Sequence, residues 1–316
     1  MVKNKDLTIS DSFSGLPQRD VVVLVGEILA DVFPDRTVLG GAPFNVARHL
    51  QAFGLFPLLI TRVGNDKLGE ELLACMVRMG MATSGVQQDS VHQTGQVMVQ
   101  IEAGEHTFHI PSDQAYDFIQ SEEACQLVLS ANPGLIYFGT LAQRHRVSRQ
   151  ALNEMLRNTR TPRVLDINLR EPWYTKQIIE DSLHHADIVK MSEGELETIA
   201  RLLHVSGNSA HEQATSIIQL FSLERLLVTC GAEGAWQLDA VGEKCHQQGA
   251  ANTKVVDSVG AGDGFTAVFI TGTLRGWSKT LTLSRANAFA AALCGIRGAV
   301  PANQAFYHSF LDEWGE

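Results

Sequence analysis

Cysteine is sparse in this chain. Five residues in 316 (Cys75, Cys125, Cys230, Cys245 and Cys294) are odd in number, widely scattered and never spaced as C-x-x-C. That pattern excludes a disulfide framework and a zinc knuckle. Eleven histidines include no H-E-x-x-H, and His184-His185 suits a surface helix end better than a metal. Basic residues are also in deficit, 25 against 35 acidic ones, for a net charge of −10. With no long basic run, nucleic acid is excluded as the principal ligand. No apolar run reaches membrane-spanning length: Val21–Ala30 carries Glu27, and Ala286–Val300 carries Asn287 and Arg297. The first 19 residues are polar and lack the apolar core of a signal peptide, so a short flexible extension and a cytoplasmic address are expected. Proline is scarce, at 9, while hydrophobic residues reach 45%. Such a balance describes a packed enzyme-sized core rather than disorder.

Glycine, by contrast, is plentiful, and it concentrates where chemistry is expected. In Val255-Val-Asp-Ser-Val-Gly-Ala-Gly-Asp-Gly-Phe-Thr266 three glycines fall within five residues, just before apolar positions at helical spacing. The spacing predicts a strand or loop that delivers a glycine turn onto a helix N-terminus. Such a terminus presents unpaired N–H groups and partial positive charge, and so holds anions. Asp263 is out of character there, because a carboxylate repels a phosphate. The conflict disappears if Asp263 takes the proton from a hydroxyl that attacks a phosphoryl group held by those N–H groups. Taken alone, it is equally an acid complementing the helix dipole.

Elsewhere apolar runs alternate with helical patterns. Asp20–Gly26, Leu58–Val63, Gly134–Phe138, Val164–Asn168, Ile188–Met191 and Arg225–Thr229 read as buried strands. Leu68–Met79, Arg149–Arg157, His211–Phe221, Phe265–Arg275 and Ser284–Ile296 read as helices, and Gly234–Leu238 as the start of an edge hairpin. Strands separated by helices predict an α/β fold, a doubly wound and mostly parallel sheet flanked by helices, with ligands at the strands' carboxyl ends. Gly95–Ile110 departs from this rhythm. Val97, Val99 and Ile101 alternate with polar residues, Ala-Gly-Glu turns, and Phe108 and Ile110 alternate again. That predicts an antiparallel hairpin, inserted as a small separate sheet.

Asp257-Ser-Val-Gly-Ala-Gly-Asp263 resembles the D-T-x-G-A-G-D signature of the PfkB (ribokinase-like) carbohydrate kinases, with Ser258 where Thr is usual. Gly40-Gly41-Ala-Pro-Phe-Asn45 resembles the family's G-G-x-x-x-N in its fructokinase-like form. Asp166-Ile-Asn-Leu-Arg170 is similar to D-x-N-x-R, Lys190-Met-Ser-Glu-Gly-Glu195 to N-x-x-E with Ser192 for Asn, and Thr229-Cys-Gly-Ala-Glu-Gly234 to T-x-G-x-x-G. These occur in family order over Val21–Val300. The resemblance implies one ribokinase-like domain over residues 20–316, with a β lid inserted from about 31–40 and 92–117.

It also implies roles. Asp263 is expected as catalytic base, the Gly260-Ala261-Gly262 backbone as anion hole, and Arg170 as a charge beside the transferring phosphoryl group. Asp31, Gly40, Gly41, Asn45 and Asn168 are expected around the sugar, joined there by Arg170. Side-chain alternation along a strand from Val164 would aim Asp166, Asn168 and Arg170 at one site. Phe44 and Tyr116 are expected as apolar walls, and Ala115-Tyr-Asp117 resembles the A-W-D of fructokinases. Lys190, Thr229, Gly231, Gly234, Gly262 and Asn287 are expected at ATP. Glu195 would organise Mg²⁺ through water while also serving as half of a capping box. Asp257 would lie at a K⁺ site. Fructose is the favoured substrate, and ribose, 2-keto-3-deoxygluconate, aminoimidazole riboside or a nucleoside are the alternatives. A non-catalytic sugar or nucleotide sensor is the rival of another class. A dinucleotide-binding dehydrogenase fails, since no G-x-G-x-x-G follows the first strand. A homodimer joined through the lids is expected from the apolar face of Val97, Val99, Ile101, Phe108 and Ile110.

Overall fold

Val21–Val25 form β1, and all five side chains are buried because helices cover both faces of the strand. A computed structural model describes residues 20–102, 105–250 and 254–315, with the backbone alone for 100–102 and 105–107. The expected extension 1–19 and the Ala103-Gly104 turn lie outside the described residues. After β1 come β2 (Leu29–Val32), β3 (Thr37–Gly40), α1 (Ala42–Ala52), β4 (Phe56–Gly64), α2 (Lys67–Arg78) and β5 (Val86–Asp89). Then follow β6 (Gly95–Glu102), β7 (Glu105–His109), α3 (Ser121–Ala131), β8 (Leu135–Gly139), α4 (Arg146–Arg157), β9 (Arg163–Asp166) and α5 (Lys176–His185). The chain continues through β10 (Ile188–Ser192), α6 (Glu193–Leu202), α7 (Ala210–Phe221), β11 (Arg225–Thr229), β12 (Ala235–Asp239) and β13 (Lys244–Gln247). Three helices close it: α8 (Ala261–Arg275), α9 (Lys279–Cys294) and α10 (Ala305–Trp314).

Nine strands form one sheet in the order β13-β12-β11-β10-β9-β8-β1-β4-β5. Pairing is parallel from β11 through to β5, and the β12–β13 hairpin adds an antiparallel edge. From β1 the chain winds first toward β5 and later, from β8, the other way, so the order reverses at the β1–β8 junction. Doubly wound sheets bind ligands at such a junction. Two cores result from the period-two alternation of the strands. Val21, Val23 and Val25 face one core with Leu152, Leu183 and Ile217, while Val22 and Leu24 face another with Phe265, Phe269 and Phe289. Among the described residues no helix is long and apolar enough to cross a membrane.

The small sheet has the order β3-β2-β6-β7. The β6–β7 hairpin is antiparallel as expected, but β2 lies parallel to β6, because both leave the main sheet on the same side.

Three expectations need correction. Strand β9 stops at Asp166, and Asn168 takes φ 42°, so alternation does not carry to Asn168 or Arg170. Val255 and Val256, expected as strand or loop, are exposed loop. Phe44 is wholly buried in the core cluster around α1 rather than standing as a wall of the crevice. Val97 and Ile110 are covered by this chain itself, against Leu29, Tyr116 and Leu141, and Val99 is buried too, while Phe108 is 54% exposed. The side chain of Ile101 is outside the description.

Candidate active site

The N-termini of α1 and α8 meet at the open ends of β1, β9 and β10. Gly41 caps α1 with φ 107°, and a Cβ there would come within 2.7 Å of the Glu27 carbonyl oxygen. Gly260 caps α8 with φ 79°, and a Cβ there would approach Cα of Ala299 to 2.4 Å. Both positions therefore need glycine for conformation and for space. Gly40 does not. It leaves room beside Asp31, whose Oδ2 would stand 3.6 Å from an added Cβ.

In α8 the first intrahelical bond runs from Gly264 N–H to the Gly260 carbonyl, at 2.9 Å. The Ala261 N–H turns back on the Ser258 carbonyl at 3.3 Å. The N–H groups of Gly262 and Asp263 thus have no partner within the helix, the arrangement from which a helix start can hold an anion. A Cβ on Gly262 would lie 3.4 Å from Nζ of Lys190, which places an ammonium group beside the same turn. Lys190 pairs with Asp166 at 3.0 Å, and Thr266 Oγ1 donates to the other Asp166 oxygen at 2.9 Å. Burial opposes the charge on Lys190, but the carboxylates of Asp166 and Glu195 override it and hold the pKa above the usual value.

Asp263 faces this pair. Burial pushes its pKa up to about 6, against the lowering effect of a 2.9 Å hydrogen bond donated by Nδ2 of Asn45. The charge of Asp166 raises it further, and those of Lys190 and Arg170 lower it. A carboxylate with that pKa can accept a proton near neutrality. Asn45 Oδ1 is buried without a partner. Asp31 is half-buried, its pKa raised by burial and lowered by Arg170. Arg170 lies exposed at the mouth, donating to the Leu169 carbonyl at 3.1 Å.

Glu195 makes the capping box: its Oε2 accepts from Ser192 N–H at 2.7 Å, and its Oε1 accepts from Leu169 N–H at 2.8 Å. The carboxylate thus ties α6 to the segment carrying Asn168 and Arg170. Asp257 likewise bridges two loops, accepting from Val259 N–H and Gly298 N–H at 3.0 Å each. Among the described residues no three His, Cys, Asp or Glu gather as a metal site. Thr229 ends β11, followed by Gly231 and Gly234 at φ 57° and 97°. An added Cβ on Gly234 would meet the Gln247 carbonyl oxygen at 2.2 Å, whereas Gly231 is open. Asn287 donates to the Gln247 and Gln248 carbonyls at 3.0 and 3.4 Å, holding the end of β13 against α9.

Three groups in the crevice escaped the sequence reading. Thr266 supports the Asp166 carboxylate that holds Lys190. Tyr137, on β8, is buried with an unpartnered hydroxyl that feels Asp166, Asp263 and Glu27. Glu27 follows β1 and is 5% exposed, with its pKa pushed up to about 7 by burial. The one available signal was an ionisable residue inside an apolar strand run.

A nine-stranded doubly wound sheet with unpaired helix-start N–H groups and an acid beside them is a frame suited to phosphoryl transfer. The chain belongs to the PfkB family of carbohydrate kinases, whose profile matches residues 21–305. It is 28% identical over 275 residues to the fructokinase of Escherichia coli, covering 79% of this chain and 83% of that one. The structure of a fructokinase from Xylella fastidiosa with bound ATP superposes with a TM-score of 0.80 at 20% identity, covering 94% of this chain and all (100%) of that one. An aminoimidazole riboside kinase from Salmonella enterica, complexed with its riboside and an ATP analogue, superposes with a TM-score of 0.76 at 22% identity, covering 92% and 99%. These likenesses at low identity establish the fold.

The Asn45–Asp263 bond generates a pH prediction. If Asp263 must be ionised for turnover, kcat/KM falls as pH drops through its pKa. Asn45→Leu removes a hydrogen bond that favours the ionised form, so the acid limb should move to higher pH than in wild type. A pH–rate profile in both proteins checks this, and an unmoved limb would separate Asn45 from the titration of Asp263.

Proposed function

We propose that this chain transfers the γ-phosphoryl group of ATP to a primary hydroxyl of a small sugar, fructose before the alternatives. The observation carrying the reading is Asp263: a carboxylate with a pKa near neutrality, held by Asn45, beside the unpaired N–H groups of α8. Asp31, the Asn45 carbonyl and the Gly40-Gly41 backbone would orient the hydroxyls, and Asn168 stands nearby. Asp263 would take the proton of the attacking hydroxyl. Charge gathering on the phosphoryl oxygens would meet the N–H groups of Gly262 and Asp263, the Lys190 ammonium and the Arg170 guanidinium. The small sheet would cover the sugar and keep water out. Thr229, Gly231 and Gly234, with α9 behind them, form the nucleotide side of this reading.

Magnesium fits the donor chemistry. Glu195 Oε2 accepts two hydrogen bonds from Ser192, while Oε1 accepts one from Leu169 and keeps a lone pair, which suits a hydrated ion carried chiefly by ATP phosphates. When bound, it would screen the phosphate charge.

Asp263→Asn keeps the shape but cannot accept the proton. Turnover should fall by roughly 10²–10⁴-fold while sugar and ATP still bind. ADP release with ATP, Mg²⁺ and a panel of fructose, ribose, adenosine and 2-keto-3-deoxygluconate tests both base and substrate. A folded variant with near-normal turnover sinks the base assignment, and a better substrate than fructose removes that preference.

Two further parts of the reading have their own tests. A monovalent cation beside Asp257 would stiffen the bridged loops under the anion hole. Equal rates in K⁺ and tetramethylammonium would remove it. Self-association through the small sheet rests on Phe108 and Met98, 54% and 38% exposed, rather than on the covered valines. Sedimentation at micromolar concentration should give a dimer, and a monomer would end the idea.

A further inference from the structure

Glu27 has no part in the chemistry above, yet it is an almost wholly buried ionisable group in the crevice. It sits between β1 and β2, 5% exposed. The N–H groups of Glu27 itself and of Ala42, in the first turn of α1, hydrogen-bond to its carboxylate. Its Oε2 is buried and has no hydrogen-bond partner among the described residues. A buried carboxylate oxygen left unpaired is costly, so a retained one points to a donor that arrives with a ligand.

The surrounding charges narrow that ligand. Arg170 and Asp263 act on Glu27, Arg170 acts on Asp31, and Arg170 acts on Asp263. One exposed guanidinium is therefore shared by three carboxylates. The other nearby cations are committed: Lys190 to Asp166, and Arg144 to Asp117, to which it gives bonds of 2.9 and 2.7 Å. Among the described residues Asn45 Oδ1 and Glu27 Oε2 are unpartnered acceptors, and the Tyr116 and Tyr137 hydroxyls, which can donate or accept, are unpartnered as well. Such a crevice welcomes several hydroxyl donors and repels a second anion.

We propose that Glu27 binds a hydroxyl of the acceptor substrate directly, and that with Asp31 it selects neutral polyols against anionic sugars. This deepens the kinase reading and rests on it. It decides what the Arg170 motif left open, since a carboxylate- or phosphate-bearing sugar would find Arg170 already neutralised.

The test compares kcat/KM for fructose and ribose with that for 2-keto-3-deoxygluconate and fructose 6-phosphate. It uses the wild type, Glu27→Gln and Glu27→Asp, each checked for folding by its melting curve. Wild type should favour a neutral sugar by at least tenfold. Glu27→Gln should raise the neutral-sugar KM roughly 10- to 100-fold, the range for a lost hydrogen bond to a charged acceptor. It should also narrow the gap to the anionic sugars, with the KM for ATP within about twofold. Glu27→Asp keeps the charge but shortens the reach, so it should weaken neutral sugars while still rejecting anions. Wild-type preference for an anionic sugar overturns the proposal even if neither variant folds, as does an unchanged neutral-sugar KM in folded Glu27→Gln. If the wild type turns over no sugar at all, the kinase reading fails and this inference falls with it. If it turns over fructose and Glu27→Gln matches it, the inference alone fails.

Discussion

One hydrogen bond, from Asn45 to Asp263, joins positions 218 residues apart and fixes the geometry on which the site depends. Each residue lies in the first turn of a helix, α1 or α8, and the two helices pack together with their N-termini at the ends of the parallel strands. Two positive helix ends at one point make a region where carboxylates can be buried without individual salt bridges. Glu27 and Asp263 both use it. Burial still dominates, which is why both are pushed up toward neutrality rather than held low. A lone buried carboxylate would be a defect in a core. Here the same energetics make one group a proton acceptor at ordinary pH and leave the other with an oxygen to offer.

The motifs were legible because they are glycines and polar residues required by backbone geometry. Gly41 and Gly260 occupy positive-φ positions with another backbone pressed against them, and no other residue fits there. The strand rhythm was legible for a related reason, since strands covered on both faces must be continuously apolar. Asn168 and Arg170 came out differently because alternation holds only while a strand continues, and a left-handed residue ends it. Phe44 looked like a pocket wall because it sits inside a motif. On a helix, though, a residue three positions after the cap can face inward while Asn45, the next one, faces the crevice. Val97 and Val99 could not be assigned to a dimer or to their own chain without knowing what lay beneath them. Glu27 was hidden by its company: it looked like an isolated charge at a strand end, and what it faces is set by crossovers that bring distant segments together.

The remaining element is a layer beneath the motifs that keeps them in place. His49 lies one turn after Asn45 on α1, wholly buried, and burial pushes its pKa down to about 3, so the ring is neutral. A carbonyl can only accept, so Nε2 carries the hydrogen that meets the Ala299 carbonyl at 3.2 Å. Nδ1 then accepts from the Tyr307 hydroxyl at 2.9 Å. Ala299 is the residue against which Gly260 is pressed, and its neighbour Gly298 donates to Asp257. The imidazole thus fixes the floor of the α8 turn from the same helix that supplies Asn45. The helix-start N–H pair and the amide holding Asp263 are therefore referenced to one rigid body. A preorganised donor pair is effective only if its distance to the reacting oxygen does not drift. In this chain that distance is set by α1, whose residues 45 and 49 hold the two sides of the α8 turn.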